Sequence, residues 1–499
     1  MHLNPQWVPM KWPCGPLEVA RLKRLNTTEN DLLQMAEAWA RPAALRCLEG
    51  TAINCLILDW ASGIDDDHAQ QLALKPLIEA GRSHGISFIA RIEADANVSE
   101  NVTTASRAGF EAVLLGTAPK QSVELPFILQ FASDHIPWET TTAIFCTTGN
   151  VWPQANLKNM DENMDGDTAI VGPTANPWTE SNGWLSLLAH QMAPGKTLWL
   201  EIDPPETMET RSSQDYCLAL ADARVYGARW IISLDATVRA GLSRGDATAI
   251  AMWTRICETL DACESHPGWE EFDPMGILAV ASDFRGSNAF TGGQLLNLLN
   301  RRQLQFTIVD RTLPFPRLGE WVRGVLWVDE QPPTSEQRAE LLTFAHNGGV
   351  VITPQYWGPA GANAYKQDWL FGYALYAIGA GRMVVAEDGL PEPYQLSRDA
   401  HLLVSRKNDF VRLYNPGTTR YYSSINSLRR SQLVRILNYS GESASYVTLW
   451  VDTSARSARL WIPSSEAPLA LKSTNSGDGV SFDLPPFSVL CAVEIERSV

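Results

Sequence analysis

The fold class predicted is α/β: an N-terminal (β/α)8 TIM barrel, a small doubly wound α/β domain and a C-terminal antiparallel β-sandwich. Three observations predict it. Residues 1–265 alternate short apolar runs with helical patterns, the signature of βα units around a parallel sheet. Residues 273–388 restart that alternation on a smaller scale. From about residue 395 the pattern turns to period-two strands separated by turn residues. The 499 residues suit two to four domains, with expected boundaries at 1–268, 269–392 and 393–499.

The barrel strands are expected at 7–12, 53–60, 86–93, 111–116, 126–131, 141–147, 168–173, 197–203 and 229–235. Their apolar runs suit strands buried on both faces. Nine candidates compete for eight places. The runs at 197–203 and 229–235 read as the seventh and eighth strands, which leaves 126–131 or 141–147 as accessory. Helical patterns fall at 65–85, 181–196 and 212–228. The first opens on acidic residues and ends in Gly, as a helix dipole and a left-handed terminus favour. No G-x-G-x-x-G follows a strand, which argues against a doubly wound sheet here.

In the second domain the strands are expected at 275–282, 304–310, 322–330, 350–354 and 379–388, with helices at 290–303 and 335–349. In the third, LLVSRK, FVRLYNPG, QLVRILNYSG, YVTLWVD, ARLWIP and VSFDLPPFSVLCAVEIE read as antiparallel strands.

The formal net charge of −16 excludes nucleic acid as an expected partner, because a phosphate backbone demands a concentrated basic surface. The 8 Cys include no C-x-x-C pair and several sit in apolar runs, so they read as small core residues rather than a zinc site or disulfide framework. No apolar run reaches the roughly 18 residues a membrane helix needs. The opening MHLNPQWVPMKW lacks the basic and apolar regions of a signal peptide. The expected location is the cytoplasm, or outside the cell with a signal peptide lying beyond this sequence. DENMDGD at 161–167 spaces acidic residues like a calcium loop, but Gly172 stands where the bidentate Glu belongs. No metal or cofactor is expected. The 18 Trp suit sugar binding, since the apolar face of a pyranose stacks on indole; they equally suit cores and interfaces.

The stretch VRILNYSGESASYVTLWV followed by LPPFSVLCAVEIE, with this order of domains, resembles the family 42 glycoside hydrolases (β-galactosidases). In that family a catalytic barrel precedes an amidotransferase-like α/β domain and a small β-domain. The resemblance implies a seventh-strand Glu as nucleophile, a place Glu201 fills. It also implies an Asn-Glu pair after the fourth strand, where EAVLLGTAP has no carboxylate. The middle domain has no Cys between 273 and 388. It therefore lacks an amidotransferase nucleophile and is expected to pack against the barrel or to support a homo-oligomer.

Barrel active sites lie at the C-terminal ends of the strands. Acidic and aromatic residues collect there: Asp59 and Trp60; Glu93 and Asp95; Asn150 and Trp152; Asn176, Trp178 and Glu180; Glu201 and Asp203; Asp235. Glycoside hydrolysis needs two carboxyl groups across the scissile bond. Glu201 is the expected nucleophile or base, and Glu93 or Glu180 the acid. Asp59, Trp60, Asn150, Trp152, Asn176, Trp178, Asp203 and Asp235 are expected to hold the saccharide. Against this, Asp59 and Asp235 suit helix caps, Glu93 suits an ion pair with Arg91, and Trp152 and Trp178 suit packing beneath their loops. The rival reading is a catalytically inactive barrel serving as a carbohydrate-binding or scaffolding module.

Overall fold

The computed structural model describes residues 3–24, 30–94, 96–132, 142–148, 151–162, 169–204, 211–367, 370, 372–404, 408–452, 455–463, 465 and 467–497. They form two compact units, one of residues 1–152 and 193–266, the other of 153–192 and 267–499.

The first unit is a closed parallel barrel. Its strands run in chain order: Pro9–Lys11, Cys55–Ala61, Ser87–Ile92, Ala112–Leu115, Phe127–Ala132, Ile144–Thr148, Thr197–Glu201 and Arg229–Trp230. Met10 bridges Ile232 in parallel, and the amide of Lys11 donates to the Ile232 carbonyl at 2.8 Å, which closes the ring. Successive side chains point to opposite faces of a strand. Cys55, Ile57, Ile89, Leu114, Ile128, Ile144, Cys146, Trp199 and Ile231 form the interior core. Leu56, Leu58 and Trp60 take the alternate, outward positions and are also buried. This is why the strands read as continuous apolar runs.

Both 127–132 and 144–148 are barrel strands, so neither is accessory. The ninth candidate is the outsider. Ala169–Glu180 pairs antiparallel with Gln154–Glu162 in a hairpin that belongs to the second unit. Its apolar run satisfied the same pattern as a barrel strand, and only its pairing partner tells the two apart.

The helices follow their terminal signals. Asp67–Ser83 starts where the Asp67 carboxylate accepts from the amides of Ser62 and Gly63 at 2.7 and 2.8 Å. Ser213–Val225 opens with a capping box between Ser212 and Asp215, which satisfies two amides that the helix leaves unpaired.

In the second unit, five parallel strands run in the order Phe306–Asp310, Leu278–Ser282, Gly324–Trp327, Val350–Thr353 and Gly381–Ala386. Tyr373–Ile378 and Ala364–Tyr365 extend the sheet antiparallel. Helix Ser335–His346 covers one face through Leu341 and Ala345. Helix Gly183–Met192 packs on helix Ser287–Arg301. Two antiparallel sheets complete the unit, sharing one core. Val434, Ile436, Val493 and Ile495 come from one sheet, and Val411, Leu449, Val451 and Phe482 from the other.

LLVSRK, expected as the first of these strands, instead begins inside helix Pro393–Val404. Leu396, Ala400, Leu403 and Val404 are buried at three-to-four-residue spacing, a helical period that a six-residue window is too short to show. Leu403→Ala should therefore cost about 2–5 kcal/mol, the usual range for a buried Leu, measured by chemical denaturation. An exposed strand position would lose almost nothing.

Candidate active site

Two residues beyond the apolar interior of the barrel, along almost every strand, the inward position becomes polar. Ile57 is followed by Asp59, Ile89 by Arg91, Ile128 by Gln130, Trp199 by Glu201 and Ile231 by Ser233, while Lys11 ends the first strand. The strands are parallel, so this polar layer forms at their shared C-terminal end.

Glu201 is the hub. Its side chain is only 4% exposed. Oε1 accepts from Arg91 Nη1 at 2.6 Å and lies 3.6 Å from Lys11 Nζ. Oε2 accepts from Gln130 Nε2, and Cys146 Sγ lies 3.8 Å from the same oxygen. Its two oxygens thus accept from Arg91 and Gln130 and face the Lys11 ammonium. A buried carboxylate without such partners would be costly.

Asp203 lies two residues further on and is more open, at 44%. Lys11 Nζ donates to Oδ2 at 2.7 Å and Ser233 Oγ to Oδ1 at 2.8 Å. Burial pushes the Asp203 pKa up, but the Lys11 charge and hydrogen bond and the Ser233 hydroxyl outweigh it, so it lies below the ordinary carboxylate value. Burial likewise pushes Lys11 down. The charges of Asp203, Asp59 and Glu201 more than reverse that, against opposition from Arg91, and Lys11 titrates higher than usual. Arg91 also reaches Glu93, at 3.4 Å, and the Glu93 side chain is 53% exposed. Glu93 thus makes the ion pair that alternation allowed, and still faces solvent at the mouth. Asp59 is half-buried and close enough to act electrostatically on both Lys11 and Arg91.

The other expected residues fare differently. Trp60 is buried on the outward side of its strand, donating to Thr104 Oγ1 at 3.0 Å and meeting Phe110 edge-on. It packs beneath helix Val98–Ala108 and is no sugar platform; the period-two rule puts it on the face opposite Asp59. Asp235 is a buried cap: Oδ1 accepts from the Val238 amide at 3.0 Å and Oδ2 from the Tyr216 hydroxyl at 3.1 Å. Trp152 is buried edge-on to Tyr216 and Trp230, with the Arg211 guanidinium 4.9 Å from its ring centre. It packs beneath its loop instead of walling an open pocket.

Trp178 and Glu180 belong to the second unit. There Arg301 covers the Trp178 ring at 4.2 Å, and Gln154 Nε2 donates to Glu180 at 2.7 Å. Asn150 and Asp95 lie outside the described residues, as does the side chain of Asn176.

Lys11, Arg91, Gln130 and Ser233 were not expected as site residues. A signal existed: each is a polar residue at an inward position of an otherwise apolar strand. All eight cysteines are free, and burial raises the Cys146 thiol well above its usual range. Among the described residues no cluster of His, Cys, Asp and Glu suits a metal ion, and no helix is long and apolar enough to cross a membrane.

No family model matches the chain, and no curated protein matches it in sequence. Solved structures do. Alpha-L-fucosidase isoenzyme 2 from Paenibacillus thiaminolyticus aligns over 99% of this chain and 100% of its own, with TM-score 0.59 at 10% identity. The exo-beta-1,4-mannosidase Op5Man5 from Opitutaceae bacterium strain TAV5 aligns over 80% of this chain and 96% of its own, with TM-score 0.47 at 9% identity. At such identity the first of these speaks for the fold alone. This likeness does not support family 42 specifically.

Two outcomes follow from this geometry. A depressed Asp pKa contributes stability that is fully present above the ordinary value, about 3.9, and is lost as pH falls through the lower folded value. The raised Lys11 contributes below its ordinary value and loses that contribution as pH rises through the folded one. Lys11→Met should therefore move the Asp203 titration upward, read by carboxyl-carbon NMR; an unmoved titration would rule Lys11 out as its counter-ion. Trp152→Ala should cost about 3–5 kcal/mol, as for other buried aromatics, in thermal or chemical denaturation.

Proposed function

We propose that the protein is a glycoside hydrolase whose chemistry sits at the barrel mouth, with Glu201 as nucleophile or general base. The observation that carries this reading is the buried Glu201 carboxylate, oriented by Arg91, Gln130 and Lys11 at the C-terminal end of the seventh strand. A nucleophile or base must be fixed in direction, and these three partners serve that need.

Glu93 is the proposed acid. It faces solvent beside the same Arg91, where a leaving group can depart into water. Asp59 and Asp203 are the proposed partners of substrate hydroxyls. Glu180 is left out of the assignment because its recorded contacts lie within the second unit. The fold of the fucosidase agrees with a saccharide substrate without indicating which one. The parallel sheet of the second unit, amidotransferase-like in the expected sense but without a Cys, is proposed as structural or oligomerising. The domain limits 1–268, 269–392 and 393–499 are proposed for the chain except at 153–192, which group with the second unit, with the two closing sheets as the β-sandwich.

The test uses a panel of aryl glycosides and natural oligosaccharides. On whichever substrate the wild type cleaves, Glu201→Gln should lose several orders of magnitude in kcat, with folding checked by circular dichroism. Glu93→Gln should lose about 10²–10⁴-fold on substrates with poor leaving groups, the usual worth of a general acid. It should lose far less on a dinitrophenyl glycoside, whose leaving group needs no proton. Near-normal turnover by Glu201→Gln would refute the assignment. So would equal losses by Glu93→Gln on both kinds of substrate, for Glu93.

A further inference from the structure

Two exposed tyrosines come from neighbouring segments of the C-terminal part of the chain. Tyr446 is 85% exposed and Tyr414 44%. Strands Val411–Tyr414 and Thr448–Val451 pair antiparallel, with Tyr414 opposite Thr448, and Thr448 in turn pairs with Asp483. Val411, Val447, Leu449 and Phe482 point into the core. By alternation, Tyr414, Thr448 and Asp483 share the solvent face; Tyr446 lies two residues before Thr448, outside the strand.

The backbone here is constrained. Tyr446 has φ of 60° and Asn415 has φ of 54°. Asn tolerates that left-handed region, but a bulky side chain such as Tyr rarely occupies it, and such strain concentrates at functional sites. Asn415 Nδ2 donates to the Tyr446 carbonyl at 3.3 Å and ties the two strained residues together. The loop behind Tyr446 is held from several sides. The buried Asn438 side chain bonds the carbonyls of Glu442 and Ser488 at 2.6 and 2.8 Å, and Ala444 exchanges backbone bonds with Phe487. The fold thus holds a strained tyrosine rigidly, with its ring in water.

We infer that Tyr414 and Tyr446, with Asn415, Thr448 and Asp483, form a saccharide-binding platform separate from the barrel mouth. A pyranose presents an apolar C–H face and a rim of hydroxyls. Two phenol rings match the face. The Asn415 amide, the Thr448 hydroxyl and the Asp483 carboxylate, the latter two hydrogen-bonded at 2.7 Å, match the rim. A rigid loop also reduces the ordering cost of binding. The inference rests on the proposed function only for the choice of saccharides; the binding itself needs no catalysis.

The test is affinity electrophoresis and calorimetry with soluble xylan, galactomannan and arabinogalactan, using the full chain carrying Glu201→Gln so that nothing is hydrolysed. At least one polysaccharide should be bound. Adding Tyr414→Ala and Tyr446→Ala should weaken that binding by more than tenfold. In the chain with Glu201 intact, the same two substitutions should leave turnover of a small aryl glycoside unchanged. Tyr446→Gly should weaken binding while holding or raising the melting temperature, because glycine accepts the left-handed backbone; this separates ring loss from unfolding. The inference is overturned if none of the three polysaccharides is bound, or if the double variant binds as before. It is also overturned if the tyrosines instead support self-association in sedimentation without any polysaccharide binding. A barrel found inactive on every glycoside, with platform binding intact, would sink the proposed function alone.

Discussion

The ion pair between Arg91 and Glu201, 2.6 Å apart inside the barrel, is the constraint on which the polar mouth depends. Two charges taken out of water are costly, and their attraction compensates only when the remaining hydrogen-bonding capacity is also met. Gln130 and Lys11 meet it for Glu201, Glu93 shares Arg91, and Asp203 with Ser233 completes Lys11. The groups come from the first, third, fifth, seventh and eighth strands, so the network also ties the barrel wall together across its mouth. Removing any one member leaves another with an unmet charge or donor.

That network sits on an apolar floor. Trp199, Ile57, Ile89 and Ile128 fill the interior directly below it, so the charged layer has protein on one side and the mouth on the other. The field between its members is less screened than it would be in bulk water. This makes the opposite pKa displacements of Lys11 and Asp203 two views of one interaction. It also gives Glu201 a fixed direction, since its carboxylate is held from the sides by donors on different strands.

The aromatic residues divide by what surrounds them, and tryptophan count did not predict the division. Trp60, Trp152 and Trp178, each beside a strand end in the sequence, are covered by Phe110, by Tyr216 and Trp230, and by Arg301 respectively. Tyr414 and Tyr446, which drew no notice in the sequence, stand in solvent. An indole next to Asn and Pro looks the same in sequence whether its loop folds inward or outward. The direction is set by partners tens of residues away.

The sequence by itself determined the parallel barrel, its seventh and eighth strands, the alternation of the middle sheet and the antiparallel end of the chain. All of these are written as local periodicity, which burial on one or two faces imposes on neighbouring residues. It also determined that Glu201 and Asp203 share an inward face, because two residues of strand preserve direction. It did not determine which ninth apolar run left the barrel, since a hairpin strand and a barrel strand bury the same residue types. Nor did it determine that Lys11 and Arg91 would meet those carboxylates. Those contacts join positions 11, 91 and 201, and only closure of the barrel brings strands so far apart in the chain to one end of one cavity. There the cost of burying charge selects the partners that neutralise it.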